Sequence, residues 1–147
     1  MFNLRRSQVF WIEAEPTFGG SGNQTEVPKK AGPFFGGSED PSDGEEIYAT
    51  FIFAGRRIKN KKINFRSPSQ KESLNSMWRV NLPTAKQGGP GSYEGKIAVF
   101  QQRGSTTFTL NVLDKYDDQQ AIAKLKAETT VETTQAGGDR EFGYKVD

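Results

Sequence analysis

Short runs rich in β-branched and aromatic residues recur along the chain, and loops rich in glycine and proline separate them. This pattern constrains the fold more than any other feature, because it is typical of short β-strands joined by turns. The strand-like runs are residues 8–14, 47–54, 62–65, 77–82, 96–102 and 106–113. In the last run, Phe108, Leu110 and Val112 alternate with polar residues, which is the period of a half-buried strand. Six or seven such strands predict a mainly β domain, folded as a barrel or a sandwich.

Two segments show helical signals instead. Residues 27–31 predict a short helix, with Pro28 near its first turn and the following Gly-Pro pair as its end. Asp117 or Asp118 predicts the start of a second helix that runs to about Ala127. All 147 residues are expected to form one domain, with these helices at its periphery.

Charged residues are segregated along the chain, although 20 lysines and arginines nearly balance 18 acidic residues overall. Residues 39–46 are acidic. Residues 55–62 are expected to be a turn that leads into the next strand. A basic segment begins in this turn and runs to Arg79, and its only acidic residue is Glu72. Its cations are Arg56, Arg57, Lys59, Lys61, Lys62, Arg66, Lys71 and Arg79. Such segregation indicates a basic face for a polyanion, and the open alternative is an exposed hairpin kept soluble by its charge.

Several classes of site are excluded by residue types that the chain lacks. It contains neither cysteine nor histidine, which removes disulfides, thiolate zinc sites and histidine-based nucleophiles. No apolar run approaches the length of a membrane span, and no signal-peptide pattern opens the chain. We therefore expect a soluble cytoplasmic protein that needs no metal and no cofactor.

The strongest catalytic candidate is the triplet Glu94-Gly95-Lys96. Glu-x-Lys is half of a metal-dependent nuclease signature, in which the carboxylate would hold Mg²⁺ and the lysine would polarise the attacking water. That signature also needs an upstream acidic residue held beside the triplet by its own strand, and the nearest, Glu72, lies in a polar loop. We expect no catalytic residue in this chain, and a small nuclease that uses Glu94 and Lys96 stays the alternative.

Two long polar segments interrupt the strand pattern. Residues 16–24, PTFGGSGNQ, form a glycine-rich loop after the first strand. Residues 63–80, INFRSPSQKESLNSMWRV, begin and end like strands but are polar and cationic in the middle. Trp78 is predicted to fix the base of this second segment in the core, and Trp11 is predicted to be a core residue of the first strand.

These segments together resemble the N-terminal effector domain of the restriction endonuclease EcoRII. That domain is a DNA-binding pseudobarrel, like the DNA-binding domain of BfiI and the plant B-three domains. The stretch VFWIEAEPTFGGSGNQTEVPK is similar to the family's first strand and N-terminal recognition arm, and KKINFRSPSQKESLNSMWRV to its second arm. KIAVFQQRGSTTFTLNVLDKYDDQQAIAKL resembles the late hairpin and the helix after it, and REFGY the final strand of the BfiI-type domain.

The resemblance implies a seven-stranded DNA-binding pseudobarrel with one or two short peripheral helices, whose two arms bind in the DNA major groove. The side chains expected to contact DNA in the first arm are Glu15, Thr17, Ser21, Asn23 and Gln24. Those expected in the second arm are Arg66, Ser67, Ser69, Gln70, Lys71, Glu72, Ser73, Asn75 and Arg79. Arginine, asparagine, glutamine and glutamate can read base edges, whereas Lys59, Lys61 and Lys62 would contact phosphates.

The function that the resemblance implies is sequence-specific recognition of double-stranded DNA by the effector domain of a bacterial type II restriction endonuclease. The target would be CC(A/T)GG, the nuclease domain would lie outside these residues, and the isolated domain would be monomeric. Where the EcoRII domain carries histidine and tyrosine near its glycine-rich arm, this chain has Ser21 and Glu26, which indicates a different set of contacts. A structural protein, such as a virion component with the basic hairpin as its assembly surface, is the second alternative.

Overall fold

The computed structural model describes residues 7–14, 23–66, 76–134 and 140–146. Its strands are β1 (Ser7–Glu13), β2 (Gln24–Pro28), β3 (Glu46–Phe53), β4 (Arg56–Arg66), β5 (Met77–Asn81), β6 (Lys96–Gln102), β7 (Thr107–Asp114), β8 (Thr130–Thr133) and β9 (Glu141–Val146). Its helices are α1 (Gly32–Phe35) and α2 (Gln119–Glu128), with 3₁₀ turns at Lys29–Ala31 and Ala85–Gln87.

Within these residues, the nine strands form one curled sheet in the order β2-β5-β4-β3-β7-β6-β1-β9-β8. Neighbouring strands are antiparallel except β3 and β7, which are parallel. The prediction of a mainly β fold with few short helices is confirmed. The two strands beyond the predicted seven, β2 and β8, lie at the two edges of the sheet, where strands are short and tolerate proline.

The predicted turn at residues 55–62 is wrong, because β4 already begins at Arg56. The turn is confined to Ala54 and Gly55, whose φ angles of 51° and 81° are those of a tight two-residue hairpin. The charged residues that hid the strand are mostly exposed, so their polarity reflects solvent contact rather than a loop.

The predicted helix at residues 27–31 is only partly correct. Val27 and Pro28 complete β2, and Lys29–Ala31 form a 3₁₀ turn with Pro28 before it. The helix α1 then begins at Gly32, where the Gly-Pro pair was expected to end a helix. Proline is tolerated in the first turn of a helix because no intrahelical acceptor awaits its missing N–H. Gly36, with a φ of 101°, ends this helix instead.

The second helix is confirmed as α2, but its predicted cap has another function. The Asp118 carboxylate makes no hydrogen bond to the helix N-terminus and accepts one from the Asp114 N–H at 2.8 Å. It therefore stabilises the turn between β7 and α2.

The centre of the core is a cluster of phenylalanine rings. Phe34 and Phe35 of α1 pack against Phe10, Phe100 and Phe108 of β1, β6 and β7, with ring centroids 5.1–5.8 Å apart. All five side chains are fully buried. The four-residue helix is therefore stabilised by the packing of its two phenylalanine rings, because an isolated helix of this length is unstable.

Both tryptophans are fully buried, which confirms the prediction for each. Trp11 packs with Ile97 of β6 and with Ile122 of α2, and its indole N–H donates to Thr129 Oγ1 at 2.9 Å. Trp78 donates to the Lys29 carbonyl at 3.2 Å. Trp78 thereby attaches the start of β5 to the segment that leads into α1.

Side chains join the two edges of the sheet. Arg140, only 7% exposed, donates to the carbonyls of Glu13 at 3.0 Å and Glu26 at 2.8 Å, and to Thr25 Oγ1 at 3.3 Å. It precedes β9, whereas Thr25 and Glu26 belong to the edge strand β2. One buried guanidinium therefore links strands that share no backbone ladder.

A second polar contact lies along the same junction. Lys30, just after β2, places its ammonium 2.6 Å from Glu132 Oε1 of β8 and over the rings of Phe142 and Tyr144, at 5.8 and 5.5 Å. The Tyr144 hydroxyl donates to Glu132 as well. Burial first, and then this carboxylate, raise the pKa of Tyr144 to about 12, so the phenol stays protonated and able to donate at neutral pH.

Candidate nucleic-acid interface

The structure describes part of the predicted DNA-contact set. Its described members are Asn23, Gln24, Lys59, Lys61, Lys62, Arg66 and Arg79. The members that lie outside the described residues are Glu15, Thr17, Ser21, Ser67, Ser69, Gln70, Lys71, Glu72, Ser73 and Asn75.

The two polar segments are joined to the neighbouring strands β2 and β5 at opposite ends of the pair. Residues 15–22 lead into β2, and the carbonyl of Asn23 accepts from the Leu82 N–H, just after β5, at 2.6 Å. Residues 67–75 connect the other end of β5 to β4, where Met77 is paired with Arg66. Since β5 has five residues, these attachment points are about 17 Å apart at roughly 3.3 Å per residue.

Between the two attachment points, β2, β5, β4 and β3 present a polar outer face, opposite the side that carries Trp78 and Val80. One row across this face contains Gln24, Asn81, Lys62 and Tyr48. Gln24 Nε2 donates to Asn81 Oδ1 at 2.6 Å, and Asn81 Nδ2 donates to the Lys62 carbonyl at 2.8 Å. These bonds fix the amide of Asn81 in one orientation.

The next row contains Glu26, Arg79, Asn64 and Glu46. Arg79 lies 3.7 Å from Glu26, and Lys62 lies 3.7 Å from Glu46 of this row. The face therefore alternates in charge and is less basic than the sequence suggested. Glu26 thus places its carboxylate beside an arginine that the sequence predicted to read bases.

Of the eight residues in these two rows, five were absent from the predicted contact set: Glu26, Glu46, Tyr48, Asn64 and Asn81. Tyr48 is 52% exposed and lies opposite Lys62 on β3, within an otherwise apolar run. Asn81 follows the predicted arm rather than lying in it. A tyrosine within a run that is otherwise typical of a buried strand was the one sequence signal that could have drawn attention to this face.

Lys61 does not share the face with its neighbour Lys62. It is paired with the core residue Ala49, and its ammonium donates to Gln87 Oε1 at 3.0 Å. Partial burial lowers the pKa of Lys61. The predicted phosphate contacts at positions 59, 61 and 62 therefore do not form one uninterrupted row.

The described structure places the carboxylate of Asp114 beside the triplet of the catalytic alternative. Glu94 is exposed, and the Lys96 ammonium lies 3.2 Å from Asp114 Oδ1. Asp114 in turn accepts from the N–H groups of Tyr116 and Asp117 at 2.9 Å, and the bonds from Asp117 and Tyr116 lower the pKa of Asp114. Across residues 7–14, 23–66, 76–134 and 140–146, no group of three or more acidic residues could hold a metal ion.

Glu13, next to the first polar segment, is held by two partners. Its carboxylate accepts from the Glu141 N–H at 2.6 Å and lies 2.6 Å from the Lys115 ammonium. Burial is the largest influence and opposes ionisation, but the bonds from Glu141 and Lys115 together outweigh it and lower the pKa of Glu13.

We expect Glu13→Gln to reduce the stability of the domain at neutral pH by about 1 kcal/mol and to flatten its acid dependence. A carboxyl with a lowered folded pKa stabilises above its unfolded pKa, about 4.3, and this contribution is lost as the pH falls through the folded value. Urea denaturation from pH 7 to pH 3 measures the difference. Glu128→Gln, on the exposed end of α2, is the control, and parallel curves for wild type and Glu13→Gln would contradict the assignment.

No protein-family model matches the chain, and no curated protein matches its sequence. In the part of the chain that the structure describes, no helix is long and apolar enough to cross a membrane. The interface is therefore interpreted from its own residues.

Proposed function

We propose that this chain is a sequence-specific double-stranded DNA-binding domain, and that it serves as the effector or target-recognition part of a bacterial type II restriction endonuclease. The observation that carries the proposal is geometric. The strand ends to which the polar segments 15–22 and 67–75 are joined in sequence, the start of β2 and the ends of β4 and β5 at Arg66 and Met77, lie at opposite ends of one polar sheet face. Residues held by a rigid scaffold are the usual place for recognition.

The size of the described face suits a duplex. The strand ends that bound it are about 17 Å apart, which exceeds the roughly 12 Å width of the major groove, so the face is wide enough to lie over the groove. Its amides, Gln24 and Asn81, are of the type that reads adenine edges. The Tyr48 hydroxyl donates to Glu46 Oε1 at 3.1 Å and would exchange that bond for a phosphate oxygen when DNA binds.

The charge pattern of the face favours recognition of specific bases over general electrostatic attraction to DNA. Glu26 and Glu46 neutralise part of the positive charge of Arg79 and Lys62. A protein that bound DNA only through its charge would not require these carboxylates. Arg66, at the end of β4, is exposed and is the described arginine closest in sequence to the second segment. It is the first candidate for a specific contact.

Fluorescence-anisotropy titrations with duplexes that carry CC(A/T)GG, or a scrambled sequence, test the proposal at two salt concentrations. We expect tight, salt-dependent binding to the target duplex. Arg66→Gln should weaken it by about tenfold or more, the effect of losing one arginine–base contact. Lys124→Gln, which removes an equally exposed charge on α2, should leave the affinity unchanged.

Two other outcomes would redirect the proposal. Equal binding to both duplexes would keep DNA as the ligand but reject this target, and selection from random duplexes would then identify the site. Binding to neither duplex at low salt would reject DNA recognition and favour the structural, assembly-type alternative.

A further inference from the structure

The hairpin of β3 and β4 extends beyond the rest of the polar face. Residues 62–66 of β4 lie beside β5, whereas residues 56–61 of β4 have only β3 as a partner. This extension reaches about 20 Å past β5 at roughly 3.3 Å per residue. It carries the exposed cations Arg56, Arg57 and Lys59.

A fourth cation joins these from a distant part of the sequence. The turn at Ala85–Gln87 is closed by a capping box between Thr84 and Gln87, and the Lys61 ammonium donates to Gln87. Gly88 lies so close to Arg56 that a Cβ there would be 2.5 Å from Arg56 Cδ. The exposed Lys86 is therefore held next to the hairpin, on the side of Arg56 and Lys61. Arg57 lies on the opposite side, because it alternates with the buried Ile58. We call the four cations Arg56, Arg57, Lys59 and Lys86, which cover both sides of the hairpin, the hairpin patch.

The cations of the hairpin patch lack acidic partners. Among the described residues, none of its four members forms an ion pair, and the same holds for Lys61, Arg66, Arg103, Lys124 and Lys145. Seven other cations in the same part of the chain do form one: Lys29, Lys30, Lys62, Arg79, Lys96, Lys115 and Lys126. Positive charge without local compensation is the electrostatic mark of a surface for a polyanion.

The opposite end of β4 has the reverse charge. The acidic loop at residues 39–46 is bonded to it, since the Gly44 N–H donates to the Phe65 carbonyl at 2.9 Å and the Phe65 N–H to the Glu45 carbonyl at 2.8 Å. A polyanion that crosses the polar face is thus attracted toward the hairpin and repelled from the loop. The hairpin also lies at the end of β5 where residues 15–22 enter, because Lys62 and Gln24 share a row there.

We infer that the hairpin patch binds the phosphate backbone of duplex DNA that continues past the bases read between the two polar segments. This inference rests on the proposed function. It adds that the DNA that flanks the recognised bases leaves the polar face on the side of the hairpin. Exposed lysine and arginine side chains suit sequence-independent phosphate contacts, which position the protein without reading bases. Lys86 thereby acquires a function that its sequence position did not indicate.

Two double variants of equal charge test the hairpin patch. Arg57→Gln/Lys86→Gln removes two of its charges, and Lys124→Gln/Lys145→Gln removes two exposed charges from α2 and β9. Their affinities are measured for long duplexes, target and scrambled, over a range of salt concentrations. The first variant should bind both duplexes about tenfold more weakly at 0.1 M salt, and its salt slope should fall by about 1.8, or about 0.9 for each lost phosphate contact. The second should match wild type.

The possible failures are distinguishable. If wild type binds duplexes and Arg57→Gln/Lys86→Gln binds them equally well, the hairpin patch is refuted while the proposed function stands. Equal losses in both double variants would also refute it, since net charge alone would then explain the effect. If wild type binds no duplex, both proposals fail. Thermal denaturation of each variant shows whether it is folded.

Discussion

Replacement of Arg140 by methionine is expected to lower the free energy of unfolding by about 3 kcal/mol. Methionine preserves most of the packing volume but leaves the carbonyls of Glu13 and Glu26 and the hydroxyl of Thr25 without this donor. Each buried polar group that loses its partner costs roughly 1–3 kcal/mol, and the removal of a buried charge offsets part of that sum. Urea denaturation followed by circular dichroism measures the loss.

The position of Arg140 predicts where the structure weakens. Its bonds connect the start of β9 to the edge strand β2, so amide hydrogens of β2 should exchange faster in the variant, ahead of those in β6 and β7. Arg140→Lys should be intermediate, because one ammonium cannot reproduce a planar fork that reaches three acceptors. Arg103→Met, on the exposed turn after β6, is the control. Wild-type stability in Arg140→Met would show that the sheet edges do not depend on this residue.

Gly143→Ala is expected to destabilise the domain by a similar amount, about 3 kcal/mol, through overpacking. Gly143 is paired with Trp11 across β1 and β9, and an added Cβ would lie 2.5 Å from Cε2 and 2.7 Å from Cζ2 of the indole. The ring is fully buried against Ile122 and donates to Thr129. It cannot move away without loss of that bond and displacement of α2.

A matched control and a second substitution isolate this contact. Gly91→Ala adds the same methyl group where no atom lies within 4 Å, so it should change stability by less than about 1 kcal/mol. Trp11→Phe removes the part of the ring that meets the new methyl, and Gly143→Ala should therefore cost less in that background. Additive effects of the two substitutions would contradict the proposed clash.

The interior strands could be predicted because burial leaves a local pattern in the sequence. The apolar run at residues 47–54 and the alternation at 106–113 both correspond to strands, β3 and β7. The edge strands β2 and β8 were not recognised, since they are short and carry polar residues or proline. The shortened first helix has the same origin, because Val27 and Pro28 belong to an edge strand and only Lys29–Ala31 form the 3₁₀ turn after it.

The candidate site was only partly predictable. The two polar segments were evident from their composition, and Gln24 and Arg66 were assigned to them from sequence alone. The contributions of Asn81 and Tyr48 depend on rows that cross strands far apart in the chain. No local pattern specifies which residues meet across such a ladder, since that is set by register.

By itself, the sequence determined that this protein is mainly β, that both tryptophans are core residues, and that two polar segments interrupt the strands. Only the tertiary structure decided which charges meet: that Glu26 lies beside Arg79, and that Lys86 joins the cations of the β3–β4 hairpin. The physical reason is the range of each effect. Burial depends on each residue's own side chain, so it produces a periodic pattern of apolar residues along neighbouring positions of the sequence. Ion-pair and hydrogen-bond partners are instead selected by strand register, which joins residues far apart in the sequence.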